Sequence, residues 1–199
     1  MKERRIPVSE NDVKIYISKK ELSKNCEIAA AVNDVRIHRA NGNIEKARRL
    51  GEALATIAPT SDGDNISVNL REHLAPKFFN QDILYQIKVL LVFACETIIQ
   101  LDIPVSILST AALTAMYEKM EKQTPGFYKN ISNGAAFTFY YLALQKGGDL
   151  AENIGEAFAM LCSVKNKDSF VAAGKTIWGI AVDLIEKEIE KADLEKVIF

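Results

Sequence analysis

Glu96 is the residue whose chemistry most needs an account. It stands inside KVLLVFACETIIQLDIP, residues 88–104, where nearly every neighbour is apolar. A carboxylate taken out of water must find donors or a cation, or else become protonated. It could be a polar group of a small-ligand pocket, joined by the hydroxyls of Tyr140 and Tyr141 from the aromatic run FTFYY. It could equally be a structural acid, paired with a basic or hydroxyl side chain on an adjacent helix or reaching solvent at the stripe's edge.

A second group with chemical potential is basic. Arg36, Arg39, Lys46, Arg48 and Arg49 flank one short turn. Guanidinium groups suit phosphate, and two helices joined by a tight turn could act as a helix-turn-helix. The second helix begins NIEKARRLGEA, however, without the polar face that reads bases. The same cations would also suit an acidic protein partner, the chain's own acidic C-terminal helix, or plain solvent. Charge is unevenly spread along the chain. Residues 1–59 carry 12 Lys+Arg against 8 Asp+Glu, and residues 60–199 carry 13 against 18, for a net charge of −1.

Other motifs fail on spacing. AAGKTI, residues 172–177, contains the end of a phosphate-binding loop, but the required glycine five residues before Gly174 is Ser169. DGDN at 62–65 suggests calcium, yet the sixth and twelfth positions of such a loop are Ser67 and His73 instead of Gly and Glu. His38 and His73 lack a ligand partner at helical spacing. Cys26, Cys95 and Cys162 are widely separated, with no C-x-x-C pair. They read as three buried thiols in a reducing compartment. No catalytic residue, metal ligand or cofactor site is therefore expected.

The elements that must hold these groups are helices. Residues 80–101 show two apolar stripes: Ile83, Ile87, Leu90, Ala94, Ile98 and Leu101, then Tyr85, Val89, Val92, Glu96, Ile99 and Ile103. A helix apolar on almost every side lies amid neighbours. Charged residues interrupt the run too often for a membrane span. Asn43 suits an N-cap and Pro59 a stop, giving a helix over 43–58. Asn41 and Gly42 form the turn after a helix over 19–40. Further helices are expected over 104–122, 132–146, 149–163 and 167–191, with KQTPGFYKN as a linker. The small residues of 104–122 permit close helix approach. LGEALATIA (50–58) and IGEAFAMLC (154–162) share four identities in nine, which two amphipathic helices give by default.

The fold class is thus all-α: about seven helices around a central apolar helix at 80–101. At most a short two-stranded β element, 13–17 with 66–70, is added, because period-two alternation marks both segments. One helical domain over 1–199 is expected, with an N-terminal subdomain over 1–60 carrying the basic hairpin and a helical core over 80–199. The start, MKERRIPVSENDVK, lacks the apolar core of a signal peptide, so a cytoplasmic setting follows. The expected function is a non-enzymatic, homo-oligomeric protein-interaction or regulatory module, partnered by itself or another protein. The alternatives are nucleic-acid binding through the basic hairpin and a small-ligand pocket near Glu96.

Overall fold

The computed structural model describes residues 19–57, 75, 80–133, 135–162 and 167–195, with side chains from residue 30 on, 132 and 133 excepted. Among the described residues it is all-helical. The eight helices are α1 (Lys19–Ala40), α2 (Asn43–Ile57), α3 (Gln81–Asp102), α4 (Ser106–Gln123), α5 (Pro125–Asn133), α6 (Ala136–Gln145), α7 (Leu150–Leu161) and α8 (Lys167–Ala192). The segments 13–17 and 66–70, expected as a strand pair, lie outside the described residues, as do DGDN and His73.

The chain divides into two compact units, Met1–Ile37 and His38–Phe199. Of the first, α1 is described up to Ile37. Val32 is exposed there. All other helices belong to the second unit.

The second unit is organised by α3, which touches α4, α6, α7 and α8. Its start is fixed locally. The Asn80 side chain accepts a hydrogen bond from the Ile83 backbone N–H at 3.0 Å, which satisfies one of the otherwise orphaned first-turn donors. Asp82 places negative charge in the first turn, where the helix dipole favours it. Residues 89–95 are all buried, so α3 is enclosed on every side along that stretch. Each large aliphatic or aromatic side chain buried this way contributes roughly 1.5–3 kcal/mol. Leu101 departs from the expected stripe, being 66% exposed near the end of the helix.

Two close helix pairs flank this core, α2 with α4 and α7 with α8. Both depend on glycine. A Cβ on Gly51 would lie 1.9 Å from the Ala112 carbonyl oxygen, and one on Gly155 would lie 2.5 Å from that of Val171. The small residues Ser109, Ala112 and Ala115 of α4 are buried, in line with the close approach their size permits. Gly174 of the GKT stretch meets Gly155 and Phe158 across the second pair. Thr176 bonds back to the Ala172 carbonyl at 3.0 Å. That stretch is a helix-packing surface in the middle of α8.

The expected linker KQTPGFYKN is helical instead. Thr124 closes α4 and its carbonyl accepts from the Tyr128 N–H at 3.0 Å, while Pro125 takes the first position of α5. Proline is favoured there because its missing N–H would have no intrahelical partner anyway. Phe127 then packs edge-on against Tyr85, with ring centroids 5.7 Å apart. The turn before α7 is sharper. Gly147 and Gly148 both take positive φ, and Asp149 caps the helix by accepting from the Glu152 N–H at 3.1 Å.

Candidate functional site

Two helices of the second unit bring hydroxyl groups to Glu96. The carboxylate projects from α3, in the stripe otherwise made of apolar side chains, and is half-buried. Tyr117 of α4 donates to Glu96 Oε2 at 2.6 Å. Tyr141 of α6 donates to Glu96 Oε1 at 2.6 Å. Of the partners open to this acid in sequence, basic side chain, hydroxyl or solvent, the structure supplies two hydroxyls on adjacent helices.

Aromatic packing positions these phenols. Phe93, one turn before Glu96 and wholly buried, meets Tyr141 edge-on at 5.2 Å and Phe137 edge-on at 5.6 Å. Such contacts add about 0.5–1.5 kcal/mol beyond area burial and fix ring orientation. Burial, followed by the bond to Glu96, pushes the Tyr141 phenol up to about 12. The same causes raise Tyr117 further. Both groups therefore hold their protons at neutral pH and remain donors to the carboxylate.

Tyr140 is not brought to this site. Its ring stacks on Phe93 with centroids 5.0 Å apart, and its buried hydroxyl has no hydrogen-bond partner among the described residues. Burial holds that phenol well above its ordinary value. Tyr117 was missed by the sequence reading. Its signal was faint: a lone aromatic flanking the buried stripe Ala112, Met116 and Met120 of α4.

The basic residues are dispersed in their commitments. Arg36 lies in the first unit and is exposed. In the second unit Arg39 and Arg49 are exposed. Arg48 pairs with Glu118 of α4 at 3.2 Å. Lys46 donates to the Asp193 carbonyl at 2.7 Å and lies 3.7 and 3.8 Å from the carboxylates of Asp193 and Glu195. Two of the five cations thus spend their charge on the chain's own acids, one of those sets lying just past the end of α8.

That contact is reinforced by Asn43. Expected as an N-cap, Asn43 instead turns its side chain to the segment after α8. Its amide nitrogen donates to the Glu195 carbonyl at 2.8 Å and its oxygen accepts from the Glu195 N–H at 2.9 Å. The capping role falls to Asn41, whose side-chain oxygen accepts from the Asn43 N–H at 3.1 Å. Of the expected turn residues only Gly42 takes positive φ. His38, wholly buried, presents Nδ1 to the Asn43 amide nitrogen at 3.3 Å. Since that amide group is a donor, Nδ1 accepts and Nε2 carries the proton.

A cleft of 610 Å³ opens between α7 and α8, lined by Glu152, Glu156, Met160, Lys167, Asp168 and Lys175, among others. Lys175 pairs with Glu152 across it, and Glu156 pairs with Lys146 at 2.6 Å. Among the described residues no cluster of His, Cys, Asp and Glu could hold a metal ion, and no helix is long and apolar enough to cross a membrane. Cys95 is buried and Cys162 half-buried, both as free thiols pushed up to about 12 by burial. Cys26 has no described side chain. Comparisons with protein-family models, with curated proteins and with solved structures each find no match.

Proposed function

We propose that this chain is a non-enzymatic, cytoplasmic helical interaction module that associates with a second copy of itself through the outer face of α6. One observation carries the reading. Eight of the ten residues of α6, AFTFYYLALQ, are apolar, yet only Tyr140 and Ala143 are buried. Leu142 is 58% exposed and Phe139 39%. A helix apolar on most of its faces is normally enclosed by neighbours, and an exposed apolar surface marks an interaction site.

The second copy is the occupant that the charge pattern favours. From Ala136 to Gln145 the helix carries no charged residue. A strongly charged partner would find no counter-charge there, whereas the same uncharged face on a two-fold-related copy is self-complementary. The free thiols of Cys95 and Cys162 support the reducing setting. The internal commitments of Lys46 and Arg48 favour protein contact over nucleic-acid binding, since phosphate affinity grows with the number of available cations.

Size-exclusion chromatography with light scattering tests this. The full chain of 22.1 kDa is expected to run at twice that mass at high concentration. Leu142→Asp is expected to return it to the monomer mass with unchanged helical circular dichroism. A monomer at every concentration overturns the proposal.

A further inference from the structure

The Glu96 junction has a hydrogen-bonding character that limits what it can bind. Each phenol carries one hydrogen, and both hydrogens are spent on Glu96. What remains at the four oxygens is lone pairs only. Among the described residues no Lys, Arg or His lies within ion-pair distance of the carboxylate. Among the described residues the junction is thus an acceptor-only cluster built on a carboxylate, with no cation paired to it.

Its surroundings narrow the choice further. Glu96 is half-buried and Tyr141 is 39% exposed, so solvent reaches the group from the Tyr141 side. The rings of Tyr117 and Tyr141 carry the two hydroxyls, and the ring of Tyr128 stands 6.1 Å from that of Tyr117. Aromatic rings beside an acceptor cluster suit a cation with an alkyl stem, through packing and cation–π attraction. A carboxylate or phosphate would meet like charge and, among the described residues, no free donor at the junction. A divalent metal would find one carboxylate where several anionic ligands are needed.

We propose that the Glu96–Tyr117–Tyr141 junction is a binding site for a small organic cation, one bearing a primary ammonium or guanidinium on an alkyl stem. Three or more N–H donors of such a group can be shared among oxygens that have only lone pairs to offer. The carboxylate supplies charge, and the two phenols hold it in place. Around α6, Phe139 stands about 160° from Tyr141 and Leu142 about 100° from it.

The test is solution NMR on the full-length protein, titrated with n-butylamine, butylguanidine, n-butanol and butyrate. The two cations are expected to give saturable shifts at the amides of residues near 96, 117 and 141, while the alcohol and the acid, of similar stem, give none. Glu96→Gln is expected to weaken the cations by about tenfold or more, because it removes the charge from a charge-assisted bond. The wild-type comparison needs no variant, so a Glu96→Gln protein that fails to fold leaves the test intact. If lysine within a short peptide shifts these residues and the free amines do not, the ligand is a protein side chain and the small-molecule proposal is wrong. Equal shifts by butanol, or none by either cation, also overturn it. Either result leaves the mass measurement on α6 unaffected.

Discussion

At Glu96 a carboxylate among apolar side chains is answered by two hydroxyl donors, and both donors must keep their protons for the answer to hold. Tyr141 is raised from 10.0 to about 12, with burial as the first cause, and Tyr117 moves the same way. A phenol whose folded value is raised contributes stability that is complete below its unfolded value and is lost as pH climbs through the folded one. The clamp is therefore intact at neutral pH and fails between pH 10 and about 12 on the Tyr141 side. Cys95, raised from 9.0 to about 12 by burial, acts in the same direction. Urea unfolding followed from pH 8 upward is expected to show stability falling through this range, with a shallower fall in Tyr141→Phe. An unchanged slope in that variant would place the alkaline sensitivity elsewhere. Part of this site was legible. An acid in an apolar stripe announces a need for donors, and FTFYY offered two hydroxyls. Adjacent helical residues point about 100° apart, so Tyr140 and Tyr141 could not both turn to Glu96, and the buried one faces Phe93. Tyr117 was not legible, because nothing in sequence says that α4 lies beside α3.

Among the elements, glycine decides which helices can approach most closely. The similarity of LGEALATIA to IGEAFAMLC has a physical reading in the structure. Gly51 and Gly155 occupy the same register in the two segments, and each lies where its helix meets a neighbour's backbone. Two helices with the same packing demand thus use the same small residue, without any repeated fold. Gly51→Ala would force a Cβ against the Ala112 carbonyl and Gly155→Ala against that of Val171. Losses of about 1–3 kcal/mol are expected for overpacking of this kind, larger at Gly51. Gly179 is the control, since a Cβ there meets nothing within 4 Å. Its replacement by alanine is expected to gain about 0.5–1 kcal/mol from helix propensity. Denaturant midpoints of the three variants check the order. If all three lose stability alike, close approach is not the cause. Helix existence was readable from apolar period and caps, with α1 and α2 recovered to within a residue. The exception, α5, was lost by treating Thr-Pro-Gly as a break, when Thr124 and Pro125 are a helix entrance.

Over the whole molecule, the uneven charge noticed in sequence resolves into contacts between distant parts of the second unit. Lys46 bonds to Asp193, 147 residues on, and Asn43 to Glu195, 152 residues on. Such pairings leave no periodic trace, which is why the all-α class and the central helix could be read in advance while the helix neighbours could not. The two contacts differ in kind. Lys46 makes partly solvated ion pairs, worth about 0–1 kcal/mol each. Asn43 is wholly buried and answers both backbone groups of Glu195. Removing it leaves a donor and an acceptor to be resatisfied, at a cost of about 1–3 kcal/mol apiece where water is kept out. Asn43→Ala should therefore destabilise the protein more than Lys46→Ala, and hydrogen exchange at the Glu195 amide should accelerate in the first far more than in the second. Amides within α3 should quicken only with global stability. If Lys46→Ala proves the costlier change, long-range charge holds the segment after α8 and the Asn43 amide is incidental to it.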